Sequence, residues 1–225
     1  MNRGSLWCGL LAASLLSACD DGALRAFEPR LALGGTSGTG SDGQSGTASA
    51  EAGSNGQVPT SPLLIDDFED GDPIAREPLG WWYPVNDKTS AQGFGIEPLN
   101  GGSTSVYALR THGSGFQAWG AAVGVDLIAK SRSLDAVGYE RLCFSARVEA
   151  GSSTLTQVHL LKGEQHYIQE ASLSESWTRY CRTLVDFKGP AEAALVPNGL
   201  IALQFFFVPN SPFAFWLDDV ELTPF

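Results

Sequence analysis

Carboxylates gather at two places in this 225-residue chain. The first is Asp66-Asp67-Phe68-Glu69-Asp70-Gly71-Asp72, and the second lies in Phe215-Trp216-Leu217-Asp218-Asp219-Val220-Glu221-Leu222. Such clusters can ligate a hard cation, do acid–base chemistry, or simply line a solvated turn. An EF-hand loop counted from Asp66 fails, because Phe68 stands where a ligand is needed and Pro73, Pro78 and Gly80 forbid the following helix. Joining the two clusters works better. Acids inside the apolar run 215–222 need a reason, since an inward carboxylate must be neutralised or coordinated. If the first and last strands lie side by side, Glu69 comes near Asp218, and converging hard oxygens suit Ca2+. The alternative is two acidic turns on a solvated edge.

Little else in the chain suggests catalysis. The histidines are His112, His159 and His166, and the spacing of zinc proteases is absent. No G-x-S-x-G or phosphate-cradling loop occurs. A carboxylate pair of glycosidase type is the remaining catalytic alternative, as a small hydrolase. The expectation is a protein that is not an enzyme.

The elements that must position these groups are short strands. A net charge of −11 excludes a phosphate-backbone binder, so no nucleic-acid partner is expected. A 43% hydrophobic content excludes a chain disordered throughout. Beyond Ser61, apolar or alternating runs recur between Gly, Pro, Asn and Ser clusters. Examples are 63–68, 106–110, 118–127, 141–148, 154–161, 178–185, 200–208 and 215–222, and His166-Tyr167 opens another strand. No capped helical period appears. The reading is an all-β, two-sheet antiparallel sandwich over 62–225. In 118–127 the alternation places Trp119 on one core-facing side with Val123 and Val125, unless the strand crosses the concave sheet near its rim. Cys143 and Cys181 fall in separate strands. Export would favour bridging them, for about 3–4 kcal/mol; two buried free thiols are the alternative.

The N-terminus is of another kind. Arg3 precedes an apolar run, Leu6 to Leu16, too short to span a bilayer. It ends in Leu16-Ser17-Ala18-Cys19, which resembles the lipobox of bacterial lipoproteins. The resemblance implies a signal peptide over 1–18, cleavage before Cys19, and acylation of Cys19 with palmitate-type chains. The protein would then be anchored to a membrane of the bacterial cell envelope; separately, a monomer is expected. Asp20 bears on inner- or outer-membrane sorting without deciding it. Residues 34–61 are Gly, Ser, Thr and Ala with almost no bulky side chains, so 19–61 reads as a flexible tether.

Over most of 62–225 the strand motifs resemble the galactose-binding-domain-like jelly rolls. The nearest likeness is to family 11 carbohydrate-binding modules and to the complex I intermediate-associated protein family. The residues that carry it are Asp67-Phe68-Glu69-Asp70-Gly71, Trp216 to Leu222, Gly80-Trp81-Trp82-Tyr83, Gly115-Phe116 through Trp119-Gly120-Ala121, Leu142–Arg147, and Ser176-Trp177. The resemblance implies a jelly roll with a structural Ca2+ between its termini. Glu69 and Asp218 are the matching side-chain ligands, with Asp67, Asp70 and Asp219 as further candidates. It also implies a saccharide ligand, or an envelope protein partner if the fold serves as a structural or protein-interaction module.

Sugars are bound by flat aromatic faces and planar polar groups. Three adjacent aromatics, Trp81-Trp82-Tyr83, cannot all face one core, so Trp82 or Tyr83 needs a second surface. Gln157, His159 and Gln204 are polar residues inside strands, and Arg110 ends one. The expected groove is a sheet face lined by Arg110, Gln157, His159 and Gln204 and rimmed by Trp82 or Tyr83. The alternative is the ordinary wet face of an antiparallel sheet. Trp177 and Trp216 read as packing residues.

Overall fold

A computed structural model describes residues 58–99, 105–129 and 132–224. The lipobox, Cys19 and the segments 1–18 and 19–57 lie outside the described residues. The described residues form thirteen strands: β1 (Leu63–Asp66), β2 (Trp82–Asn86), β3 (Gln92–Pro98), β4 (Tyr107–Gly113), β5 (Ala121–Asp126), β6 (Ile128–Ala129), β7 (Arg132–Ser133), β8 (Arg141–Val148), β9 (Leu155–Lys162), β10 (Gln165–Ser172), β11 (Thr178–Thr183), β12 (Ala202–Phe207) and β13 (Phe213–Thr223). Two short 3-10 turns follow β11, and the described residues contain no α-helix.

Two antiparallel sheets make the sandwich. One runs β11-β8-β13-β4-β3, with β1 also paired to β13; the other runs β10-β9-β12-β5-β2. This is the two-sheet sandwich expected from the strand pattern, and the jelly roll that the resemblance implied. β13 is long enough to share one edge between two partners. Its first half pairs with β4 and its second half with β1, where Leu63 lies opposite Leu222. First and last strands are therefore neighbours.

The period of two decides which side chains fill the gap. Val123 and Val125 of β5, Val158 and Leu160 of β9, and Phe205 and Phe207 of β12 point inward. Phe144, Phe215 and Leu217 meet them from the facing sheet. A chain of ring contacts ties the layers together, from Phe144 to Phe205 (5.0 Å between centroids), Phe205 to Phe215 (5.5 Å) and Phe215 to Phe207 (5.2 Å).

Cys143 and Cys181 stand directly opposite each other on β8 and β11 and are joined by a disulfide. The strand β3 was not foreseen. Gly93, Gly95 and Pro98 dilute its apolar pattern, and it forms by pairing with β4. The alternation proposed through Trp119 also fails. Gly120 sits at φ 101° and breaks the strand before Ala121, so Trp119 turns outward and is 37% exposed. Only glycine fits there, since a Cβ would lie 2.2 Å from the Phe207 carbonyl oxygen.

Candidate functional site

The outer face of the β10-β9-β12-β5-β2 sheet is built by the residues that the core leaves out. On β12 these are Ala202, Gln204 and Phe206; on β5 they are Ala122, Gly124 and Asp126. Register aligns them into rows across the sheet. One row is Tyr83, Gly124, Gln204, His159 and Ile168, and the next is Val85, Ala122, Phe206, Gln157 and Glu170.

Hydrogen bonds fix the polar members of these rows. Gln204 Nε2 donates to the Tyr83 hydroxyl at 3.4 Å. The Tyr83 hydroxyl also bonds to the Asp126 carboxylate, and burial, with Asp126 adding to it, pushes its pKa up to about 12. Gln204 is only 9% exposed. Gly124 makes room for it, because a Cβ there would lie 2.7 Å from Gln204 Cγ.

His159 packs flat on Phe206, with centroids 4.0 Å apart. Its Nε2 faces Gln157 Oε1 at 3.3 Å, which makes Nε2 the protonated nitrogen of the neutral ring. Its Nδ1 then accepts from His166 Nδ1, 3.1 Å away. Burial first, and then His166, push His159 down to about 3. Burial lowers His166 as well. The pair is thus held neutral, with its two rings nearly perpendicular and joined edge to face.

One large aromatic touches these groups through Phe206, and another is exposed close to Tyr83 in the chain. Trp81 is 61% exposed and lies two residues before Tyr83. Trp119 packs against Phe206 with centroids 5.8 Å apart. An aromatic rim around fixed amide, imidazole and phenol groups can bind a ligand with both apolar C–H faces and hydroxyls.

Gln157, His159, Gln204 and Tyr83 of the expected groove therefore share one face. Two expected members do not. Trp82 is 3% exposed and points into the core, where its indole meets Asp66; the second surface belongs to its neighbours Trp81 and Tyr83. Arg110 lies on β4, in the opposite sheet. There its Nε donates to Glu149 Oε1 at 3.0 Å, its Nη1 pairs with Glu97, and its guanidinium lies over Trp216. Arg147 covers Trp216 as well, at 4.8 Å, and reaches Trp177 at 5.6 Å. Trp177 and Trp216 thus pack, as read, but against arginines on an outer face.

Trp81, Trp119, Phe206, Asp126 and His166 were missed as members of the site. Phe206 was within reach, since it shares the parity of Gln204 in a strand of period two. Trp81 shares that of Tyr83 in the same way. Trp119 was hidden by the break at Gly120.

The acidic ends come together as β1 meets β13. Leu217 and Val220 both enter the core because the strand bulges at Asp218/Asp219, with Asp219 at φ 48°. Asp218 is buried, and burial, with Asp219 and Glu69 adding to it, pushes its carboxyl up to about 7. Glu69 accepts from the Val106 amide through both oxygens, at 2.9 and 3.1 Å. Asp219 accepts instead from the Ser145 hydroxyl, while Asp67 and Asp70 cap local turns. None of the ion pairs among the described residues involves Glu69 or Asp218. Two adjacent carboxylates without a cationic side chain suit a hard cation. They supply only part of a calcium shell, and no group of three or more Asp, Glu, His or Cys forms a metal cluster among the described residues.

Comparison with solved structures matches this sandwich to carbohydrate-binding modules. The family 11 module from Clostridium thermocellum, solved in complex with a β-1,3-1,4-mixed-linked tetrasaccharide, is 14% identical, with 72% of this chain and 95% of that one covered at a TM-score of 0.50. A family 30 carbohydrate-binding module is 13% identical, with 72% and 88% covered at a TM-score of 0.53. An exo-β-agarase is 11% identical at a TM-score of 0.54, and 25% of its length is covered. At these identities the likeness establishes the fold. No protein-family model and no curated protein sequence matches the chain.

Proposed function

We propose that the chain is a non-catalytic carbohydrate-binding module whose ligand lies on the β10-β9-β12-β5-β2 face. One observation carries the reading: Tyr83, Gln204 and His159 stand in one row on that face, with Gln204 and His159 nearly buried, Gln204 bonded to Tyr83 and His159 to Gln157 and His166, and the indoles of Trp81 and Trp119 exposed. A sheet that is only wetted does not need its glutamine and histidine nearly buried and locked. The fold shared with modules such as the tetrasaccharide-bound one supports the same assignment.

In this reading Glu69 and Asp218 hold a structural Ca2+ that fastens β1 to β13 and neutralises their charge. Asp67, Asp70 and Asp219 are the further candidate ligands; like Glu69 and Asp218 they also accept hydrogen bonds in the structure. Lipid attachment at Cys19, supported by the Leu16-Ser17-Ala18-Cys19 motif alone, would display the module from a membrane of the bacterial envelope. Palmitate labelling that disappears in Cys19→Ser tests that anchor.

The deciding experiment is titration calorimetry against soluble glycans, beginning with the β-1,3-1,4-mixed-linked tetrasaccharide, and a glycan array with calcium or chelator. Binding that is lost in Gln204→Ala while the melting temperature is kept supports the proposal. Absence of binding to every glycan at millimolar concentration overturns it and favours a protein-interaction module on the same fold.

A further inference from the structure

Trp119 stands on a loop with no regular structure, yet the loop is gripped tightly. The Ala118 and Gly120 amides, one on each side of Trp119, both donate to Asp87 Oδ2, at 2.8 and 3.0 Å. The Asp87 amide returns a bond to the Gly120 carbonyl at 3.0 Å. The other carboxylate oxygen of Asp87 accepts from the Thr89 amide and hydroxyl, and that hydroxyl oxygen accepts from the Gln117 amide at 2.9 Å. The turn after β2 and the loop before β5 are thereby one hydrogen-bonded unit, with the indole projecting from its centre onto Phe206.

We infer that Asp87 is a positioning residue that presents Trp119 as a wall of the ligand face; the inference rests on the reading of that face as a carbohydrate site. A mobile tryptophan would lose rotational freedom when it stacks on a sugar, and a pre-set one does not. Partial desolvation alone would raise the Asp87 carboxyl, but the Thr89, Gly120 and Ala118 donors outweigh it and hold it down at about 2. The grip is therefore the same from mildly acidic to alkaline conditions. Asparagine cannot replace it, because only one of its two terminal atoms accepts hydrogen bonds.

The test uses the full chain labelled with 5-fluorotryptophan, with the Trp119 resonance assigned by its absence in Trp119→Phe. In Asp87→Ala this resonance should shift and gain solvent exposure while the melting curve stays cooperative. An unchanged resonance overturns the inference. Affinity for the mixed-linked tetrasaccharide should fall about ten-fold in both Asp87→Ala and Trp119→Ala. The double variant should bind no more weakly than Trp119→Ala alone; losses that multiply overturn the inference. If the unmodified protein binds no glycan, the carbohydrate reading falls, and the fluorine signal still decides whether Asp87 positions Trp119.

Discussion

The Trp82 indole nitrogen donates to Asp66 Oδ2 at 2.7 Å, inside the core, while Asp66 Oδ1 accepts from the Phe68 amide at 2.8 Å. Burial pushes Asp66 up to about 6, although both donors oppose the rise. For a carboxyl raised above its unfolded value of 3.8, the stabilising contribution is present at low pH and is lost as pH climbs through about 6. Trp82→Phe removes one of the donors and should destabilise by about 1–3 kcal/mol, more at pH 8 than at pH 5. Urea unfolding at the two pH values measures this.

His159 behaves in the opposite sense. Its folded pKa, near 3, lies below the ordinary 6.5, so stability is held above pH 6.5 and declines as pH falls toward 3. The loss approaches about 1.4 kcal/mol for each pH unit in that window. His159→Gln should flatten the acid limb of a plot of unfolding free energy against pH. An equally steep limb in the variant would show that other groups set it.

Calcium should raise the melting temperature. A hundred-fold excess over the dissociation constant adds about 2.7 kcal/mol to a folded state that alone binds the ion. Chelator should reverse the gain, and Asp218→Ala should remove the dependence on both. A melt indifferent to calcium and chelator rejects the site.

The Cys143–Cys181 bridge fastens the edge strand β11 to β8. Replacing both cysteines with serine should cost about 2–4 kcal/mol, read by denaturant titration. The proposed glycan face lies on the other sheet, so any affinity for a glycan should be nearly unchanged where the fold survives.

Trp81→Ala should weaken glycan binding by about ten-fold and leave stability within about 0.5 kcal/mol, as expected for an exposed side chain. Calorimetry and a melting curve separate the two effects.

The sandwich was legible because β5, β8, β9 and β12 carry a clear period of two, and the register then follows from which side is apolar. The meeting of Asp66–Asp72 with Asp218–Glu221 could be reasoned from acids embedded in an apolar strand. Arg110 could not be assigned to a sheet, since strand order is a property of long-range pairing and no local pattern reports it. Trp82 and Tyr83 posed a different difficulty. Adjacent residues face opposite ways, but which of them faces the core depends on Asp66, a partner sixteen residues away. Asp87 and Trp119 escaped because the grip between them crosses two loops and leaves no periodic trace.

The Arg110–Trp216–Arg147 stack has a bearing on valency. Both arginines lie over the Trp216 ring, its nitrogen donates to Glu149 at 2.8 Å, and the ring is left buried. That indole therefore offers no stacking surface to a second sugar chain. With the proposed ligand confined to the opposite sheet, one copy would be monovalent and would not cross-link polymer strands. Firm retention on a polysaccharide would then come from many copies side by side, each releasing and rebinding while its neighbours hold.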